Sequence, residues 1–141
     1  MAKYSVFDCS VIELDRHHSD RKGNLSVVEN GITLPFDVKR IYYLYDVPGG
    51  ETRGGHAFKE NEEFIIALSG AFDVILDNGK EKQTFQLNRS YYGLFIPKGW
   101  WREIVNFSTN SVAFVLSSIQ YDENDYIRDY EEFKSWENEE E

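Results

Sequence analysis

Along most of this chain short β-forming runs, some alternating and some continuously apolar, are separated by turn-forming clusters. "NLSVVEN" alternates and stops at Asn30-Gly31; "VKRIYYLYDV" is rich in β-formers and stops at "PGGETRGG". "EFIIALSG", "AFDVILDNGK" and "KQTFQL" follow closely, then "YYGLFIP", "WREIVNF" and "SVAFVLSS". Asn78-Gly79, between two apolar runs, is a strong hairpin signal. The pattern predicts about eight to ten strands, at a spacing that suits an antiparallel sandwich or barrel.

The pattern changes after Tyr121. Asp122, Asn124 and Asp125 suit a helix N-terminus as cap and first-turn anions. Tyr126, Ile127, Tyr130, Phe133 and Trp136 then share one face at helical spacing. That spacing predicts a short helix whose aromatic stripe packs on the barrel. No repeat or linker divides the chain. The expectation is one domain over residues 1–141, with a barrel at 1–121 and an acidic helix and tail at 122–141.

Composition narrows the function. Of the 141 residues 41% are hydrophobic and 16% aromatic, enough for one proper core. The net charge of −10 is uneven: residues 122–141 carry ten acids and two bases, a net of −8, which leaves −2 for the rest. An acidic chain without a basic stripe is a poor nucleic-acid binder. The apolar runs are too short to span a membrane, and "MAKYSVFDCS" has no signal-peptide core. The single cysteine, Cys9, forms no internal disulfide, which fits a reducing cytoplasm. The pair His17 and His18, in "DRHHSDRKG", reads as surface.

Two stretches carry the candidate chemistry. Gly50, His56, Phe58, Glu63 and Gly70 fall in the register G(x)5HxH(x)3-4E(x)6G, with Phe58 in the second histidine slot. Pro97, Gly99, Arg102 and Asn106 match the second motif, PxG(x)2H(x)3N, with Arg102 in the histidine slot and Gly93 slightly displaced. These are the two motifs of the cupin barrels. Alternate strand residues face the same side, so His56 and Phe58 would point together into the barrel mouth, with Glu63 and Arg102 arriving from neighbouring strands. The usual cupin metal set is three imidazoles and a carboxylate. Phenylalanine offers no donor and arginine is a cation, so the expectation is no metal. Glu63 either orients His56 or partners Arg102.

With these motifs in place, the chain resembles the WxcM-like cupin family of nucleotide-sugar 3,4-ketoisomerases, which act on dTDP-4-keto-6-deoxy-glucose. The resemblance covers nearly the whole chain. It rests on "FDVKRIYYLYDVPGGETRGGHAFK", "LSGAFDVILDNG", "YYGLFIPKGWWREIVNFSTNS" and above all "YDENDYIRDYEEF". It implies an all-β, RmlC-like jelly roll with a short C-terminal helix and a homodimer open to exchange of N-terminal strands. It also implies no cofactor, and a role in deoxyamino-sugar synthesis for surface glycans. Members typically read His-Ala-His, with the second histidine taken as the base, and have histidine in the slot held here by Arg102.

The implied chemistry moves a ketone from C4 to C3 through an enediolate. A histidine base suits both proton transfers, and a cation suits the oxyanion. The catalytic candidates are therefore His56, Arg102 and Glu63. Arg40 and Arg53 are candidates for the diphosphate, which arginine forks bind well. Tyr42 and Tyr43 alternate on one strand, so only one faces inward. Trp101 is a candidate for stacking on thymine, and Lys22 for reaching a partner subunit's pocket. Two other functions remain open: a non-catalytic nucleotide-sugar-binding module and a 4-keto-sugar epimerase.

Overall fold

The computed structural model describes residues 9–139; the readings of the chain's first eight residues and of its last two glutamates lie outside it. The strands are β1 (Ser10–Glu13), β2 (Arg16–Ser19), β3 (Gly23–Ser26), β4 (Arg40–Tyr45), β5 (Arg53–Phe58) and β6 (Glu63–Ser69). They continue with β7 (Phe72–Asp77), β8 (Lys82–Leu87), β9 (Tyr92–Ile96), β10 (Trp101–Val105), β11 (Val112–Ser117) and β12 (Tyr126–Ile127), before helix α1 (Tyr130–Glu139). All strand pairings are antiparallel. One sheet runs β1-β9-β6-β11-β4 and faces another, β12-β5-β10-β7-β8. Two five-stranded antiparallel sheets packed face to face form the expected jelly-roll sandwich.

Side-chain alternation builds the interior. Val74 and Leu76 of β7, Leu94 and Ile96 of β9 and Val115 of β11 meet between the sheets, each at most 1% exposed. The unbroken run "FIIAL" has a different cause. Central strand β6 is covered on both faces: Ile65 and Ala67 enter the inter-sheet core, while Phe64 and Ile66 pack outward under Leu14, Leu34 and Phe36. A strand buried on both faces loses its alternation. Gly93 of β9 lies against the Phe64 ring, and a Cβ there would collide with it. At Gly70 a positive φ of 69° and the close approach of Ser111 both demand glycine.

Asn78-Gly79 closes the β7–β8 hairpin through a four-residue loop, with Asn78 Oδ1 accepting from the amides of Lys80 and Glu81. The hairpin β2–β3 pairs with neither large sheet.

The C-terminal region departs from the continuous helix expected from Asp122 onward. Asp122 caps only a 3-10 turn, Glu123–Asp125. Tyr126 and Ile127 then extend as β12 along the free edge of β5, opposite Phe58 and Ala57. Asp129 caps α1, its Oδ1 accepting from the amides of Glu131 at 2.8 Å and Glu132 at 3.4 Å. Edge pairing explains the change, because β5 supplies backbone partners that a helix at 126–127 would leave unused. From Tyr130 on, the expected stripe holds. Phe133, fully buried, packs with Ala57, Trp101 and Ile127, and Tyr130 ties the helix to Asp77 by a 2.6 Å hydrogen bond. Burying a ring of that size contributes roughly 1.5–3 kcal/mol. Among the described residues no helix is long and apolar enough to cross a membrane.

Candidate active site

A cavity of about 590 Å³ opens at one end of the barrel. His56 and Arg53 come from β5, Arg102 and Ile104 from β10, and Arg40, Tyr42 and Leu44 from β4. Glu63 opens β6, in the sheet facing β5, so it reaches the site across the barrel and not from a strand beside His56. Within β4 the even positions line the cavity while Ile41, Tyr43 and Tyr45 stay exposed.

His56 stands directly opposite Arg102 in the β5–β10 pair, just before a bulge at Arg102 and Glu103. Bulges of this kind re-aim side chains. Neither ring nitrogen of His56 has a side-chain hydrogen-bond partner. Burial first, then the Arg102 charge, pushes the imidazole down to about 3; the Gly54 backbone opposes this by favouring the charged form, and Arg128 and Arg40 add to the fall. The ring is therefore neutral at physiological pH, with a lone pair free to take a proton.

Glu63 is fully buried and saturated. Its Oε1 accepts from Arg102 Nη1 at 2.5 Å; its Oε2 accepts from Tyr42 at 2.7 Å, Ser117 at 2.9 Å and Asn61 at 3.3 Å. Of the two roles open for Glu63, the geometry selects partner of Arg102. Burial, then the Glu63 charge, raises the Tyr42 phenol well above its ordinary range, so it stays a donor. Arg102 also gives Nη2–H to the Trp100 carbonyl at 3.2 Å, while its Nε finds no partner. Arg40 likewise has an unpartnered Nε, and its Nη2 donates to Tyr126 at 3.4 Å. Among the described residues, every buried side-chain nitrogen or oxygen without a partner belongs to Arg40, His56 or Arg102. Unsatisfied buried polar atoms are costly, and here all converge on one cavity, where a ligand can satisfy them.

The remaining wall comes from the C-terminal segment. Tyr121, Tyr126 and Arg128 line the cavity, though the sequence reading assigned them no role there. Arg128 stacks on Tyr126 at 4.1 Å and forks onto Glu123 at 2.9 and 3.1 Å. Their signal was the stretch "YDENDYIRDYEEF", which drew attention but was read as helix.

Two expected contacts, Tyr43 and Trp101, lie elsewhere. Tyr43 points outward by strand alternation. Lys22, expected to reach a partner subunit's pocket, sits exposed at the tip of the β2–β3 hairpin, outside this chain's own cavity. Trp101 faces away from the barrel interior, against Tyr130 and Phe133 of α1, because Arg102 and Ile104 take the inward positions of β10. Phe58 is 1% exposed and does not line the cavity, so the second histidine slot faces a packed wall in this chain. The residues do not fit the cupin metal set: Phe58 has no donor, Arg102 is a cation and Glu63 is already saturated. Among the described residues no three His, Cys, Asp or Glu side chains cluster as a metal site.

Fold and site together define a cupin barrel whose cavity joins a neutral imidazole to four arginines. The chain belongs to the FdtA (WxcM-like, C-terminal) family, whose profile matches residues 7–138. It is 41% identical, over 83% of its length and 84% of the relative's, to a TDP-4-oxo-6-deoxy-alpha-D-glucose-3,4-oxoisomerase of Aneurinibacillus thermoaerophilus. Among solved structures it resembles a 3,4-ketoisomerase from Helicobacter canadensis, with a TM-score of 0.90 and 42% identity over 93% of this chain and 98% of that one. It also resembles a sugar 3,4-ketoisomerase from Thermoanaerobacterium thermosaccharolyticum in complex with TDP, with a TM-score of 0.92 and 33% identity over 96% and 98% of the two chains.

Proposed function

We propose that this protein is an intramolecular oxidoreductase, a 3,4-ketoisomerase of a TDP-linked 4-keto-6-deoxyhexose in deoxysugar synthesis. The observation that carries the reading is the neutral His56, without a side-chain hydrogen-bond partner, lining a cavity whose other unpartnered donors belong to guanidinium groups. Family membership supports the reaction class.

The ketone at C4 acidifies the C3 hydrogen. His56 takes that proton, the C3–H electron pair becomes the C3=C4 bond, and O4 gains the negative charge. The Arg102 Nε–H stands free to meet the oxyanion, while Glu63 holds the rest of its guanidinium. The O3 proton passes to O4, the C3 carbonyl forms, and C4 receives the proton from His56. C3 is oxidised and C4 reduced, with no outside oxidant and no metal. Arg40, Arg53 and Arg128 supply positive charge for the diphosphate.

A reducing cytoplasm and a homodimer belong to the same reading. The outward row Ile41, Tyr43 and Tyr45 offers apolar surface for a second copy. Incubation with TDP-4-keto-6-deoxyglucose, followed by NMR, tests the reaction. A 3-keto product supports it; recovery of unchanged substrate, or of a C3 or C5 epimer, contradicts it.

A further inference from the structure

Phe58 follows His56 by two residues on β5 and lies just behind the cavity wall. Its ring meets His56 edge-on, with centroids 4.8 Å apart at 72°, and meets Tyr126 in the same manner at 4.6 Å and 63°. The Arg102 Cζ lies 4.9 Å from its centroid. One buried benzyl group thus touches three cavity-lining side chains from three strands. It has no atom that can hydrogen-bond to an imidazole. A histidine in this place would bring two ring nitrogens into the same contact and could share the proton of His56.

We propose that Phe58 is a positioning residue: its ring sets the plane of the His56 imidazole against Tyr126 and Arg102 and keeps side-chain donors and acceptors off both imidazole nitrogens. The proton is then carried by His56 alone. This rests on the reading of His56 as the proton shuttle. The charged and titratable groups around the imidazole are Arg102 on β10, Arg40 and Tyr42 on β4, Glu63 on β6, Tyr126 and Arg128 from the C-terminal segment, and Arg53 on its own strand. None of the arginines donates a hydrogen bond to the ring, so packing acts with the nearby Gly54 backbone to orient it.

Phe58→Leu removes the ring and keeps most of the apolar bulk. The expected result is a fall in kcat of about tenfold or more, with KM changed by less than about threefold. The His56 titration, followed by ring NMR without substrate, moves up by at least about one pH unit as water reaches the imidazole. Unchanged kcat and titration would overturn the proposal, as would a loss of activity that only tracks the unfolded fraction. If the variant does not fold, the unaltered protein decides. His56 ring protons should show Overhauser contacts to Phe58, with the imidazole neutral at about pH 6; a missing contact or a charged ring overturns it. The titration needs no substrate, so a parent protein without isomerase activity would count against the proposed function and leave this arm of the test standing.

Discussion

Arg102 and Glu63 join the two sheets through the barrel interior as a buried ion pair, 2.5 Å apart, with side chains 2% and 1% exposed. The remaining lone pairs of the carboxylate are taken by Tyr42, Ser117 and Asn61. Such a pair is conditional: either member alone is a buried charge without a counterion.

Glu63→Gln keeps the shape and removes the charge. It should lower unfolding stability by about 3–5 kcal/mol in urea titrations. A change below about 1 kcal/mol would mean that Arg102 finds another partner or reaches water.

The pH dependence of stability has a defined sign. His56 titrates at about 3 in the fold and at 6.5 when unconstrained, so below pH 6.5 the unfolded chain binds the extra proton. The stability due to this group is complete above 6.5 and is lost as pH falls toward 3. Urea unfolding at several pH values should fall more steeply for the parent than for His56→Asn across that window. Parallel curves would refute the depressed titration.

A bound diphosphate offsets the Arg128 and Arg40 charges that help to hold His56 down. The acid limb of kcat, which reports the bound enzyme, should therefore lie at higher pH than that of kcat/KM. The opposite order would contradict the placement of the diphosphate beside these arginines.

Arg53 is exposed at the cavity rim, with no ion pair among the described residues. Arg53→Gln should weaken TDP binding by about tenfold and flatten its salt dependence, with kcat nearly unchanged. Calorimetry at two ionic strengths measures both effects, and unaltered affinity would remove Arg53 from the diphosphate site.

Asp125 pins the cavity's C-terminal wall by accepting from the amides of Glu60 at 2.8 Å and Asn61 at 3.1 Å. Asp125→Ala should cost about 1.5–3 kcal/mol and also raise KM, because Tyr126 and Arg128 follow directly on this clasp. Loss of stability with an unchanged KM would separate the clasp from the site.

Much of the barrel was legible because strand alternation and turn residues are local signals. The spacing of the two motifs alone puts His56, Glu63 and Arg102 in register. What the sequence did not reveal depended on pairing at a distance. The edge of β5 turned Tyr126 and Ile127 from helix to strand, and so brought Tyr126 and Arg128 to the cavity. Burial on both faces of β6 hid its alternation. The choice between Tyr42 and Tyr43, and the turning away of Trp101, depended on which face of each strand met the interior. Adjacent residues in a chain do not declare that.

Deuterium incorporation is the most direct measurement of the central claim. With TDP-4-keto-6-deoxyglucose in heavy water, the parent protein should introduce solvent deuterium at C4 of the 3-keto product and, through the reverse reaction, at C3 of the recovered substrate, because the N–H of His56 exchanges with solvent between the two transfers. His56→Asn should still bind TDP and should lower that incorporation by about 10²- to 10⁴-fold. Incorporation at the parent rate in the His56→Asn protein would contradict the account, whatever the fate of the other residues.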